Sequence, residues 1–244
     1  RLQRHRRRWE GLVPAMNALR ITPLDRWIRS RIGLDPGDCF TREDVRRHQL
    51  GKLLESLSYA SRHSPFYRRQ FSGCAGFAMA DFQGFASLPF TTAEDIVRDP
   101  LEFLCVSQSD VARVVTIRSS GTTGLPKRFF FNEADLELTV DFFQHGMSTL
   151  VQAGQRVLIL MPGGVPGSVG DLLVEGLARM GAIGIVHGPV QDSEDAIDEI
   201  LAHRVECLVG IPVQVLSLVR HPKSARIPRG FIRNVLLSTD YVPA

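Results

Sequence analysis

The sequence predicts an α/β protein, with a helical N-terminal section followed by a mostly parallel sheet carrying helices on both faces. Three observations predict it. From residue 156 onward, apolar runs of five or six residues alternate with helix-like stretches. Strands that are apolar throughout belong to sheets covered on both sides. Before residue 110, only helical periodicity, caps and proline stops are found. Between the two regions, a strand-like run is broken by a short polar stretch rich in glycine.

Taken in order, "TPLDRWIRSRIGL" reads as a short amphipathic helix. "TREDVRRHQLGKLLESLSYASRHSPFY" offers Thr41 as N-cap with Asp44 three residues on, and Leu50, Leu53, Leu54 and Leu57 on one helical face. Ser64–Pro65 should stop that helix, because proline removes a donor and restricts the residue before it. Residues 73–89 are glycine-punctuated and read as irregular. "LPFTTAEDIVRD" offers Thr91 or Thr92 as the cap of another short helix.

After Val111 the texture changes. "VARVVTI" reads as a strand, the polar loop follows, and "RFFF" reads as a second strand. "NEADLELTVDFFQHGMSTLVQ" is a helix capped by Asn132 and ending near Gly154. Next come strand "RVLILM", helix "VGDLLVEGLARM", strand "AIGIVH" and a helix "SEDAIDEILAHR" capped by Ser193. Strand "CLVGI", helix "PVQVLSLVRH" with Pro212 in its first turn, and strand "NVLLS" complete the series. The expected organisation is a basic, mobile arm over 1–20, a helical section over 21–110 and an α/β part over 111–244.

Composition narrows the function. The chain has 44% hydrophobic residues and no run near the 18–20 apolar residues of a membrane-spanning helix. No secretory h-region opens it, so a cytoplasmic protein without a membrane partner is expected. Cys39, Cys74, Cys105 and Cys207 lack paired metal-ligand spacing and read as reduced thiols; no metal-binding residues are assigned. The net charge of +3 owes much to Arg1, Arg4, Arg6, Arg7 and Arg8, without which 24 basic face 26 acidic side chains. Nothing downstream interleaves aromatics with arginines, so no nucleic-acid partner is expected.

The broken strand carries the chemistry. In "SSGTTGLPK", Gly121 and Gly124 let the backbone approach a ligand closely, and successive N–H groups in such a turn converge on an anion. The hydroxyls of Ser119, Ser120, Thr122 and Thr123 add donors for phosphate oxygens. Lys127, one of three lysines against 26 arginines, adds a positive charge. The loop suits a polyphosphate. It is not the GxxxxGK[ST] loop: Pro126 precedes the lysine, Arg128 stands where Ser/Thr would bind magnesium, and a strand follows.

These residues resemble the phosphate-loop signature of the adenylate-forming superfamily, which includes acyl-CoA synthetases, luciferases and peptide-synthetase adenylation domains. "LLESLSYASRHSPFYRRQF", "LPFTTAEDI" and "GIP" after a strand resemble more narrowly the phenylacetate–CoA ligase branch. The resemblance runs from about Thr22 to the end. It implies that ATP and a carboxylic acid, aryl or otherwise apolar, combine to an acyl-adenylate, with Mg2+ neutralising charge, and that the acyl group then passes to coenzyme A.

Under that resemblance Ser119, Ser120, Gly121, Thr122, Thr123, Gly124 and Lys127 hold the β- and γ-phosphates, with Thr123 and Lys127 acting in catalysis. "MPGGVPGSVGDLL" lies between a strand and a helix, where open α/β sheets bind ligands. Gly163 and Gly164 there are either a wall of the acyl pocket or packing at the helix start. His187, ending a strand beside Gly188, is a candidate to face the substrate. Ser238, Thr239 and Asp240 fall where the family carries a "gE" segment against the adenine, a departure from its pattern.

The family's "YGxTE"-like segment, ribose-binding aspartate and small C-terminal domain are absent from this sequence. The expectation is therefore a partial large domain, inactive by itself. The branch often forms dimers, which makes a homodimer an implication of resemblance. Two alternatives stay open: acyl transfer to a protein or carrier thiol, and a non-catalytic nucleotide-binding or interaction module.

Overall fold

The computed structural model describes residues 21–35, 38–73, 82–117 and 125–240. The basic arm, Cys74 and the loop residues Ser119, Ser120, Gly121, Thr122, Thr123 and Gly124 lie outside the described residues.

Four helices begin with one device. Thr22, Thr41, Thr92 and Asn132 each accept a hydrogen bond from the backbone N–H three residues on, and an aspartate at that position accepts from the cap's own N–H. Two otherwise orphaned donors are thereby satisfied at each start. The helices are α1 (Pro23–Ile32), α2 (Arg42–His63), α5 (Ala93–Arg98) and α6 (Glu133–Met147). Between α2 and α5 lie α3 (Pro65–Gln70) and α4 (Phe82–Ala86), the latter inside the stretch expected to be irregular.

Ser64 is the hinge between α2 and α3. It ends one helix with its backbone N–H donating to the Ala60 carbonyl and caps the next with a hydroxyl that accepts from Tyr67 N–H. The same hydroxyl donates to the Glu102 carbonyl at 2.7 Å, which binds the turn to the 3-10 segment Pro100–Phe103. This explains a fully buried serine: each of its polar groups has a partner.

Two sheets follow. Strands β1 (Arg113–Ile117) and β2 (Lys127–Phe131) form a separate antiparallel hairpin. The parallel sheet has order β4-β3-β5-β6, from β3 (Arg156–Ile159), β4 (Ile183–Val186), β5 (Cys207–Gly210) and β6 (Asn234–Leu237). The linking helices are α7 (Val169–Arg179), α8 (Ser193–His203) and α9 (Pro212–Arg220). The α/β expectation thus holds, and the two strands around the polar loop stand outside the parallel sheet.

Alternation within each strand divides the core. Val157 and Ile159 pack with Met147, Leu173 and Leu177 of α6 and α7. Leu158 and Leu160 pack with Ile197, Ile200, Val215 and Leu218 of α8 and α9. Helices on opposite faces carry the chain to opposite sides of β3, so the order of connection reverses between β3 and β5. In open α/β sheets the carboxyl ends of the strands at such a reversal are the usual ligand position.

Two boundaries differ from the sequence expectation. Helix α6 stops at Met147, and residues 148–154 form turns that end on Gly154 at φ 83°. Asp192, one residue earlier than expected, caps α8 by accepting from Glu194 N–H, while the Ser193 hydroxyl pairs with Ser217 of α9 at 2.6 Å.

Candidate active site

The hairpin register places the loop. Ile117 opposes Lys127 in the last pair of the ladder, so residues 118–126 form the connection between two antiparallel strands. Side chains on one hairpin face come from the pairs Arg113/Phe131, Val115/Phe129 and Ile117/Lys127. Lys127 is half-buried and shares a face with Arg113.

The carboxyl end of β3 supplies the second part. After Leu160 and Met161 the chain turns through Pro162, Gly163 and Gly164 to the start of α7. Gly170 N–H donates to the Pro162 carbonyl at 2.8 Å. The turn is tight: a Cβ on Gly170 would lie 2.8 Å from Gly163 Cα, and one on Gly163 would lie 2.4 Å from Val186 Cγ1. Gly163 is therefore packed inward between β4 and α7. Gly164 differs, because nothing lies within 4 Å of the position its Cβ would take.

Arg113 connects these two parts. Its Nη1 donates to the Pro166 carbonyl at 2.6 Å, and its Cδ lies 2.7 Å from where a Cβ on Gly167 would stand. Gly167 has φ +70°, and its N–H donates to Asp171 Oδ2 at 2.7 Å in the first turn of α7. Sequence reasoning passed over Arg113; the available signal was a lone arginine inside an apolar strand.

His187 follows β4 on the side of α8. Its backbone N–H and that of Gly188 donate to the Ile159 carbonyl, placing the residue at the carboxyl edge of β4. Its side chain lies over α8, with Nδ1 3.3 Å from Glu199 Oε2. Val186, rather than His187, meets Gly163. Ser238, Thr239 and Asp240 follow β6 and are exposed, with Ser238 N–H donating to the Gly210 carbonyl. Thr239 has φ 72°, left-handed backbone that costs a β-branched residue about 1–2 kcal/mol. Such strain clusters at functional sites.

A cavity of about 470 Å³ between α2, α3 and β2, with Tyr59, Tyr67, Phe103 and Phe129 in its walls, contains none of the sequence-predicted site residues. Burial pushes the Cys207 thiol up to about 11, which leaves it protonated and inert at neutral pH. Among the described residues, no group of three or more His, Cys, Asp or Glu side chains is arranged to hold a metal ion. Nor is any described helix long and apolar enough to cross a membrane.

No family model matches the chain. A phenylacetate–coenzyme A ligase from Pseudomonas putida is 34% identical over 107 residues, which cover 42% of this chain and 24% of that protein. Among solved structures, an open conformation of 2-hydroxyisobutyryl-CoA ligase, in complex with 2-HIB-AMP and CoA, aligns with TM-score 0.70 at 19% identity. It covers 85% of this chain and 52% of that one. The same ligase in its thioesterification state aligns with TM-score 0.69 at 21% identity, covering 84% and 47%. The chain thus spans about half the length of these solved relatives and a quarter of the curated one. The resemblance to adenylate-forming acyl-CoA ligases is borne out in fold, and its phenylacetate–CoA ligase side in sequence over part of the chain.

Proposed function

We propose that this chain is the nucleotide-binding part of an ATP-dependent, AMP-forming carboxylate–CoA ligase acting on an aryl or otherwise apolar acid. The observation that carries the reading is the hairpin closed by Ile117 and Lys127. Its connection is the "SSGTTGLP" stretch, and it is tied through Arg113 to the carboxyl end of a parallel sheet with the fold of acyl-CoA ligases.

The chemical difficulty in such a reaction is a carboxylate oxygen attacking an α-phosphate that already carries negative charge. Charge must be neutralised and the two reactants held in line. In this reading the backbone N–H groups and hydroxyls of residues 119–124 hold the β- and γ-phosphates, and the Lys127 ammonium offsets charge on the departing pyrophosphate. Gly164 fronts the acyl group, and residues 238–240 lie against the nucleotide base. Magnesium, which the family resemblance implies, would enter with the nucleotide's phosphates and offset their charge, and no step here depends on it.

The test is acid-dependent ATP–pyrophosphate exchange by the full-length protein across aryl and short aliphatic acids, followed by thioester formation with and without coenzyme A. Exchange with an aryl acid and coenzyme A-dependent release of AMP are expected. Exchange without coenzyme A dependence would move the acceptor to a protein thiol. No exchange and no ATP binding would reduce the chain to a non-catalytic module.

A further inference from the structure

We infer that Arg113 is a positioning residue that locks the β1–β2 hairpin to the glycine turn at the carboxyl end of β3, so that the two halves of the candidate site, Lys127 and that turn, move as one. The inference rests on the reading just given for what those halves bind, while the mechanical link rests on geometry alone.

Three contacts converge on a few atoms. The Nη1 donor reaches the Pro166 carbonyl at 2.6 Å. The Cδ methylene occupies the space that any side chain at position 167 would need, and Gly167 is held at φ +70°. The Gly167 N–H is in turn fixed by Asp171 Oδ2 in the first turn of α7.

The face relationship makes the link relevant to chemistry. Arg113 and Lys127 project from the same face at opposite ends of the hairpin. Anchoring Arg113 therefore fixes the tilt of the strand pair that carries Lys127. A displacement of about 1 Å at a reacting centre costs on the order of 100-fold in rate.

The test uses Arg113→Met, which keeps the stem over Gly167 and removes the donors, with Arg113→Lys as the conservative variant and Gly167→Ala as the steric one. By hydrogen–deuterium exchange, Arg113→Met should raise uptake both in 113–117 with 127–131 and in 162–170, leaving β5 and α8 unchanged. Uptake that changes in only one of the two segments, or in neither, overturns the link. In acid-dependent ATP–pyrophosphate exchange, Arg113→Met should lower kcat by up to about 100-fold, with KM for acid and for ATP less affected and partial recovery in Arg113→Lys. Unchanged kinetics in an otherwise active protein overturns the positioning role and leaves the ligase reading standing. A wild-type protein without exchange activity, whose two segments still loosen together in Arg113→Met, removes the ligase reading and leaves the link standing.

Discussion

Ile117 and Lys127 face each other as the terminal pair of an antiparallel ladder. A lysine at the first position of the returning strand is carried on backbone fixed by the ladder. Lys127→Ala should lower acid-dependent ATP–pyrophosphate exchange by about 10- to 100-fold, the range for deleting one charged contact to a transition state. The melting temperature should change little, since Lys127 makes no ion pair among those found in the described residues. A collapse of stability with normal exchange in the surviving fraction would contradict the assignment.

Asp141 supports a second prediction. Its carboxylate accepts from Trp27 Nε1 at 2.7 Å and from the Arg31 guanidinium, and His145 Nε2 lies 3.3 Å from its other oxygen. Burial alone would raise this carboxyl, but the Trp27 and Arg31 hydrogen bonds outweigh it and hold it below the ordinary aspartate value. A depressed carboxylate stabilises the fold above its unfolded value of about 3.9 and loses that contribution as pH falls through the lower folded value. In a Trp9→Phe background, Trp27 emission should stay unchanged through the ordinary aspartate value of about 3.9 and shift to the red only as pH falls further, through the lowered folded value. Asp141→Asn should show the shifted emission at neutral pH and lose about 1–2 kcal/mol of stability. Identical emission in both proteins across that range would show that Asp141 does not hold α1.

Ser64 provides a third. Ser64→Ala removes a helix cap and leaves the part-buried Glu102 carbonyl without its hydroxyl donor, so chemical denaturation should report a loss of about 1–2 kcal/mol. Ser64→Thr keeps both bonds but adds a methyl group at a fully buried site, and should recover only part of the loss. Full stability in Ser64→Ala would mean that the turn is held by Pro65 alone.

These residues also mark how far the sequence could be read. The caps at Thr41 and Asn132 and the stop at Ser64–Pro65 are local chemistry, legible from neighbours within four residues, and all are found. The central parallel strands β3 and β5 were legible because burial on both faces imposes continuous apolarity, and the half-exposed edge strands β4 and β6 are apolar as well. Antiparallel pairing of β1 with β2 was not separable from the parallel series, since both kinds of strand are apolar and the register is set by distant partners. Arg113 was missed for the same reason: its role depends on Pro166 and Gly167, 53 residues or more away. His187 shows the limit from the other side. Its position at a strand end was legible, but the face it takes follows from Ile185 packing with the α8 side of the core.

Gly176 tests the close crossing of α6 and α7. A Cβ there would lie 2.9 Å from Phe143 Cβ and 3.0 Å from both Gln144 N and the Val140 carbonyl. Alanine in place of glycine favours a helix by about 1 kcal/mol. Forcing two backbones apart costs about 1–3 kcal/mol, and the atoms met here are largely backbone that cannot rotate away. Gly176→Ala should therefore destabilise despite its better helix propensity, measured as a lower denaturation midpoint with an unchanged slope. A higher midpoint would mean that the helices separate freely.

The glycine turn separates packing from substrate contact, because its glycines meet different surroundings. Gly170→Ala drives a methyl group toward Gly163 Cα at 2.8 Å and the Pro162 carbonyl at 2.9 Å, so it should lower stability by about 1–3 kcal/mol and displace the turn. Gly164→Ala meets nothing within 4 Å, and its stability should stay within about 0.5 kcal/mol of wild type. If the open side of Gly164 fronts the acyl group, that added methyl should change the order of preference among acids by up to about 10- to 200-fold, the scale of one methylene in an apolar pocket. KM for ATP should stay constant. Equal effects of Gly164→Ala on every acid would assign the whole turn to the start of α7, and the acyl wall would then have to be sought among other segments.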